Sequence, residues 1–184
     1  MDMLNLFCRS REAKKQLTCY RAQLYRVAYA WSHNASLADD LVQETLTKAM
    51  RKVSQLRDPN AGKAWLFSIL ANCYRDHFRR YRETEDIENV RLVHETTPEL
   101  ENSRLETVEK VRRNISKLPD GQRQVITLVD LEEFSYAETA NILNIPIGTV
   151  MSRLCRARNA LRKHLLAEFG EHAAAKEPRI RRVK

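Results

Sequence analysis

The sequence predicts an all-α protein, and three observations carry that expectation. The 184 residues include only 4 glycines and 5 prolines, too little turn chemistry for a many-stranded sheet. Apolar residues recur three and four apart over long stretches, the period of a helix with one buried face. Hydrophobic residues make up 43% and charged residues 30%, a balance that supports a core with a solvated surface rather than a disordered chain.

The first two helices follow from Leu24, Val27, Ala28 and Trp31, then Leu37, Leu41, Val42, Leu46 and Ala49, on either side of the polar turn "SHNAS". After the break marked by "RDPNAG", a third pattern carries Trp65, Leu66, Ile69, Leu70, Cys73 and Phe78. Together these define an N-terminal domain over residues 10–82. The stretch "ETEDIENVRLVHETTPELEN" then sets Glu83, Glu85, Asp86, Glu88, Glu95, Glu99 and Glu101 against a single Arg91. With few apolar residues at any clear period, residues 83–102 read as a flexible acidic linker.

A second small helical domain is expected over 103–169. Leu105, Val108, Val111 and Ile115 restart a helix that stops before "LPDGQ". A helix from Asp120 to Leu131 follows, then a short one from Tyr136 to Leu143, an interruption at Ile145 to Gly148, and a longer helix from Thr149 to about Phe169. The tail, 170–184, ends in "KEPRIRRVK"; it is basic, lacks periodicity and is expected to be disordered, adding weak attraction to phosphate.

A formal net charge of +8 points to a polyanionic partner, because clustered Lys and Arg displace counterions from nucleic acid. The cysteines at 8, 19, 73 and 155 form no Cys-x-x-Cys pair, and the N-terminus does not resemble a signal peptide, so reduced thiols and a cytoplasmic location are expected. Cys73 and His77, four apart, share a helix face as metal ligands can, but without a second pair core packing is the stronger reading and no metal or cofactor is expected. No apolar run approaches the ~20 residues that span a bilayer. No nucleophile–base pair, metal set or phosphate-cradling glycine loop is present, which argues against an enzyme.

The stretch "SYAETANILNIPIGTVMSRLCRARNAL" localises the charge. Val150, Leu154, Ala157 and Leu161 form an inward stripe that packs on Ala137, Ala140, Ile142 and Leu143 of the shorter helix, so Ser152, Arg153 and Arg156 project from the other side, with Thr149 at the helix start. A short helix, a tight Gly-containing turn and a helix with polar donors on its early turns is the helix-turn-helix arrangement, whose second helix enters the major groove. Arg can pair in a fork with guanine, Ser can bond a base edge or phosphate, and Arg158 and Arg162 lie where they reach backbone rather than bases. A packed helical hairpin with a solvated arginine face fits the same residues.

The segment "LPDGQRQVITLVDLEEFSYAETANILNIPIGTVMSRLCRARNALRKHL" closely resembles the C-terminal DNA-binding domain of the extracytoplasmic-function (group IV) sigma factors of bacteria. "ADDLVQETLTKAM" and "KAWLFSILANCYRDHFRR" resemble that family's N-terminal domain, in the expected order, so the resemblance covers nearly all of residues 17–166. It implies an alternative sigma factor that binds core RNA polymerase through the beta-prime and beta subunits and directs promoter-specific initiation without covalent chemistry of its own. The C-terminal domain would read the −35 element through Thr149, Ser152, Arg153, Arg156 and Arg158. The N-terminal domain would melt and read the −10 element through Asn72, Arg75, Asp76, Arg79 and Arg80, with Asn72 at the family's base-capturing position. Asp40, Leu41, Gln43 and Glu44 match the polymerase-docking helix, which otherwise reads as an ordinary solvated face. Trp65 lies in line with Ile69, Asn72 and Asp76 but reads more readily as core.

The linker resembles the family's interdomain connector, where carboxylates would mimic a phosphate backbone; a plain tether fits its composition equally. Promoter DNA and an anti-sigma factor are the further partners the resemblance implies, and no stable membrane insertion is expected. Met151 and Cys155 depart from the longer polar or aromatic contacts common at their positions, leaving base reading to Ser152, Arg153 and Arg156. A ligand-sensing dimeric regulator would need a dimer seam and a pocket, neither evident. A sigma-like decoy that only sequesters an anti-sigma factor is opposed by the presence of Asn72, Arg79, Arg80, Asp40 and Glu44.

Overall fold

A computed structural model describes residues 19–52, 56, 61–84 and 103–175. Every regular element among them is helical. Helices α1 (Arg21–Ser32), α2 (Ala35–Lys52) and α3 (Gly62–Thr84) form the N-terminal half. The C-terminal half comprises α4 (Ser103–Ser116), α5 (Asp120–Ile126) continuing as a π turn (Thr127–Leu131), α6 (Tyr136–Leu143) and α7 (Ile147–Ala175).

Local chemistry sets the boundaries. In "SHNAS" His33 ends α1 in the left-handed region with φ 52°, and the Asn34 side-chain oxygen accepts the Leu37 backbone N–H at 2.9 Å, capping the start of α2. Ser135 and Glu138 form a reciprocal capping box on α6: the Ser135 hydroxyl accepts the Glu138 N–H, and Glu138 accepts the Ser135 backbone N–H at 2.9 Å. Asn144 closes α6 in the left-handed region with φ 52°. An Asn tolerates this conformation because its short polar side chain bonds locally.

Several boundaries differ from the sequence expectation. The α6–α7 turn is made by Asn144, Ile145 and Pro146, and Gly148 sits inside the first turn of α7 instead of forming the bend. Helix α7 runs on to Ala175, beyond Phe169 and into the expected tail, and α3 runs two residues into the expected linker. The rest of the acidic linker, residues 10–18 and the end of the basic tail lie outside the described residues. The helix expected over Asp120–Leu131 switches to π geometry at Thr127, whose hydroxyl back-bonds to the Arg123 carbonyl at 2.7 Å and so competes for a helical acceptor. Ala137, placed inward by its spacing, is exposed, whereas Ala140, Ile142 and Leu143 are buried.

The two halves share one core. Leu24, Val27, Trp31, Leu41, Leu66, Phe67 and Leu70 are continuous with Val125, Leu128, Phe134, Val150 and Leu154. Helix α3 packs on α2 on one side and on α6 on the other, while α1 also touches α4 and α5. The Tyr74 hydroxyl lies 2.7 Å from Asp120 Oδ1, to which it donates, and 3.1 Å from the Trp31 carbonyl. Burial, and then the neighbouring Asp120 carboxylate, push the Tyr74 phenol well above its ordinary pKa and keep it a donor. The two helical domains expected from the sequence therefore lie in contact along a shared core.

The capping box yields a prediction with a defined sign. The hydrogen bonds from Ser135 hold the Glu138 carboxyl below its ordinary pKa, so its contribution to stability is present above the unfolded value of about 4.3 and is lost as pH falls through the lower folded value. Ser135→Ala is expected to cost about 1 kcal/mol at pH 7, and the difference from wild type should shrink on acidification, as urea denaturation at several pH values would measure.

Candidate nucleic-acid interface

Val150, Leu154 and Ala157 turn one stripe of α7 against α5 and α6. At about 100° per residue the opposite side carries Ser152, Cys155, Arg156 and Asn159, all exposed. The Ser152 hydroxyl donates to the Thr149 carbonyl at 3.1 Å, and Arg156 donates from Nε to the Ser152 carbonyl at 3.1 Å. Ser152 and Arg156 thus line up along one exposed row, with Thr149 half-buried one turn earlier. Met151 and Ile147 flank the row, 54% and 49% exposed, so the face combines hydrogen-bond donors with an apolar edge.

Two of the arginines assigned to this face are otherwise engaged. The Arg153 guanidinium lies over Gly121 of α5, where an added Cβ would stand 2.9 Å from its terminal nitrogen. Glycine at 121 makes room for that close approach, and Arg153 is half-buried instead of projecting with Ser152 and Arg156. Arg158 is gripped by Asp130 through two parallel bonds of 3.1 and 2.6 Å, a fork that raises its pKa still further.

On α3, Asn72, Arg75, Arg79 and Arg80 are exposed and Asp76 is half-buried. Arg75 donates to Asn72 Oδ1 at 3.0 Å, Arg79 pairs with Asp76 at 3.5 Å, and Arg80 Nε donates to the Asp76 carbonyl at 3.3 Å. The face expected to run from Trp65 through Ile69 to Asn72 and Asp76 is divided: Ile69 is buried and Trp65 packs partly against the core. Sequence reasoning missed the stacked rings of His77 and Tyr81, 6.4 Å apart at 14°, for which their spacing of four residues is the available signal.

Asp40 and Gln43 are exposed on α2, but Leu41 is 1% exposed and belongs to the core, which removes it from the docking set. Glu44 lies 2.8 Å from Lys48 and 3.9 Å from Arg80, so it joins the α2 face to the basic end of α3. Among the described residues there is no group of three or more potential metal ligands; Cys73 is buried, and burial pushes its thiol pKa up. No described helix is long and apolar enough to cross a membrane.

The N-terminal half thus presents acidic residues on α2 and basic residues on α3, and the C-terminal half ends in a capped short helix, a tight turn and a longer helix. Residues 17–84 match the family model for sigma-70 region 2, and residues 109–161 that for sigma-70 region 4. The chain is 37% identical over 145 residues to the ECF RNA polymerase sigma factor EcfG of Rhodopseudomonas palustris, covering 78% of this chain and 80% of that protein. It is 34% identical over 148 residues to the ECF sigma factor SigM of Mycobacterium tuberculosis, covering 79% and 73%. The sigma factor RpoE of Bartonella quintana, solved in complex with the anti-sigma factor NepR, superposes with a TM-score of 0.68 at 33% identity, over 84% of this chain and 97% of that one. The chain belongs to the extracytoplasmic-function sigma factors of RNA polymerase. It is a promoter-directing sigma factor, and its family is a class of transcription regulator rather than of enzyme.

The placement of Leu41 can be checked directly. Leu41→Ala should cost about 2–5 kcal/mol of stability, as truncations in a packed core do. Gln43→Ala, on the same helix but in solvent, should change it by less than about 0.5 kcal/mol. Chemical denaturation of both variants separates a core role from a surface role.

Proposed function

We propose that this sigma factor reads two promoter elements with two separate faces. The observation that carries the reading is the exposed row on α7, where Ser152 and Arg156 stand opposite the buried stripe of a helix-turn-helix. That row, with Thr149 at its start, enters the major groove of the −35 element; Arg156 pairs in a fork with guanine, and Met151 contacts thymine methyls. Arg153, braced on Gly121, and Arg158, held by Asp130, act at the edge of the groove toward phosphate. The −10 element is melted and read by α3, where Asn72 captures an unstacked base and Arg75, Arg79 and Arg80 neutralise the strand, with Asp76 orienting Arg79.

Asp40, Gln43 and Glu44 dock on the beta-prime subunit of core RNA polymerase, and the C-terminal half reaches the beta subunit, in the cytoplasm. An anti-sigma factor holds the protein inactive; the solved relative captured with such a partner supports this. Coupling two weak readers through one chain gives promoter selectivity by effective concentration.

Run-off transcription with core polymerase on a promoter library tests the scheme. Arg156→Ala should lose about 1–3 kcal/mol at a defined −35 position, and Asn72→Ala should lose open-complex formation with −35 binding intact. Asp130→Asn, which frees Arg158, should add about one phosphate contact to the salt dependence of duplex binding. Native-dependent transcripts that survive both Asn72→Ala and Arg156→Ala would overturn the assignment.

A further inference from the structure

The arginines at 153, 156 and 158 of α7 differ in where their hydrogen-bond donors go. Arg156 donates to Ser152 along its own helix, and Arg158 closes a fork on Asp130. Arg153 does neither: among the described residues it forms no hydrogen bond or ion pair. Its guanidinium is nevertheless held in place. Arg153 is half-buried, and a Cβ added to Gly121 would stand 2.9 Å from its terminal nitrogen, 3.0 Å from the guanidinium carbon and 3.3 Å from Nε, so the group lies across the glycine. A guanidinium carries five N–H donors and no acceptor. Here packing fixes its position while the donors stay unspent.

The carboxylate beside Gly121 is already committed. One oxygen of Asp120 accepts from the Tyr74 hydroxyl at 2.7 Å and from Arg123 at 3.2 Å, and the other accepts from Gln124 at 3.3 Å. Gly121 is needed for space and not for backbone freedom, since its φ is not positive and the three atoms nearest an added Cβ all belong to Arg153. An acceptor that meets this guanidinium must therefore come from outside the described chain, next to Ser152 and the exposed row of α7.

We propose that Gly121 and Arg153 form a preset phosphate clamp for the −35 duplex, in which Arg153 supplies the donors and Gly121 is a positioning residue that acts only through it. The proposal rests on the −35 reading above and deepens it by assigning one backbone contact to a residue of α5. A planar fork without a partner matches the free oxygens of a phosphodiester. Holding the side chain in advance spares rotamer entropy that a free arginine loses on binding. A phosphate contact sets register and carries no sequence information, so the clamp places Ser152 and Arg156 against the bases without adding a base preference of its own.

Gly121→Ala separates this role from folding. Alanine favours the helix and adopts the backbone present here, so the variant should unfold at a higher urea concentration than the native chain, while its Cβ displaces the guanidinium. Binding of the full-length variant to a −35 duplex, followed by fluorescence anisotropy, should weaken about tenfold, the size of one charge-assisted hydrogen bond. The slope of log affinity against log salt, read between about 50 and 200 mM, should become shallower by about 0.9, one phosphate. Arg153→Ala should produce the same two changes, and the double variant should lose no more than either single one. The loss should be equal for duplexes altered at each −35 position, unlike the position-specific loss in Arg156→Ala. An unchanged salt slope in Gly121→Ala, losses that add in the double variant, or a loss confined to one base position would overturn the clamp. If the native chain binds −35 and scrambled duplexes alike and Arg156→Ala has no base-specific effect, the −35 reading fails instead, and a shared, non-additive change of slope on either duplex would still establish the phosphate contact.

Discussion

Helix α3 has to bury more surface than one neighbour can cover, and much of the architecture follows from that constraint. Leu66, Phe67, Leu70, Ala71, Cys73 and Tyr74 are all buried. At about 100° per residue these positions sweep roughly 160° of the helix circumference, well beyond the stripe of roughly 100° that a single packed face requires. Helices α1 and α2 cover one part; the loop carrying Phe134, together with α6, covers the rest. Removing the C-terminal half would return Phe67 and its neighbours to water, at about 1.5–3 kcal/mol for each large side chain fully uncovered. The remaining side of α3 carries Asn72, Arg75 and Arg79, which are exposed and bonded along the helix to one another or to Asp76.

The polar groups at the same junction decide how it can come apart. An apolar contact alone would favour closure with little angular preference. The Tyr74–Asp120 bond and the Glu132 ion pairs fix one arrangement. Arg26 is 56% exposed, so its share of the pair is weakened by solvent, whereas the Glu132 carboxylate is nearly dry. A buried carboxylate left without partners costs about 1–3 kcal/mol or more, but one released into water on opening does not. The polar groups thus fix the geometry of the contact, while the apolar surface buried around Phe67 carries most of the cost of parting the halves.

Much of this was legible in the linear pattern, and the exceptions have physical causes. The spacing of Leu24, Val27, Ala28 and Trp31 names a helix and its inner face, because that spacing is a local effect that depends on neighbours within about one turn. The same periodicity cannot say which element covers a face. Phe67 reads as one more apolar residue in "WLF", and Glu132 as loop polarity, since their partners lie 67 and 69 residues or more away in sequence. Leu41 falls among the polar residues that match the docking helix, but its own period places it in the core, where it is buried.

The arginines on α7 show where composition misleads at a site. Arg153, Arg156 and Arg158 are equivalent as letters, yet only Arg156 stands clear of the protein, hydrogen-bonded along its own helix to Ser152. Arg153 needs the missing Cβ of Gly121, and Arg158 needs Asp130 from the π turn, where the extra residue per turn shifts the direction of the side chains that follow. The π geometry begins at Thr127, which diverts the Arg123 carbonyl, so one hydroxyl at the start of the π turn helps to decide which guanidinium is left facing solvent. An exposed face built this way is set by the scaffold beneath it as much as by the helix that displays it. Substitutions at Gly121, Thr127 or Asp130 belong to the same unit as Ser152 and Arg156, even though none of the three lies on the exposed row of α7.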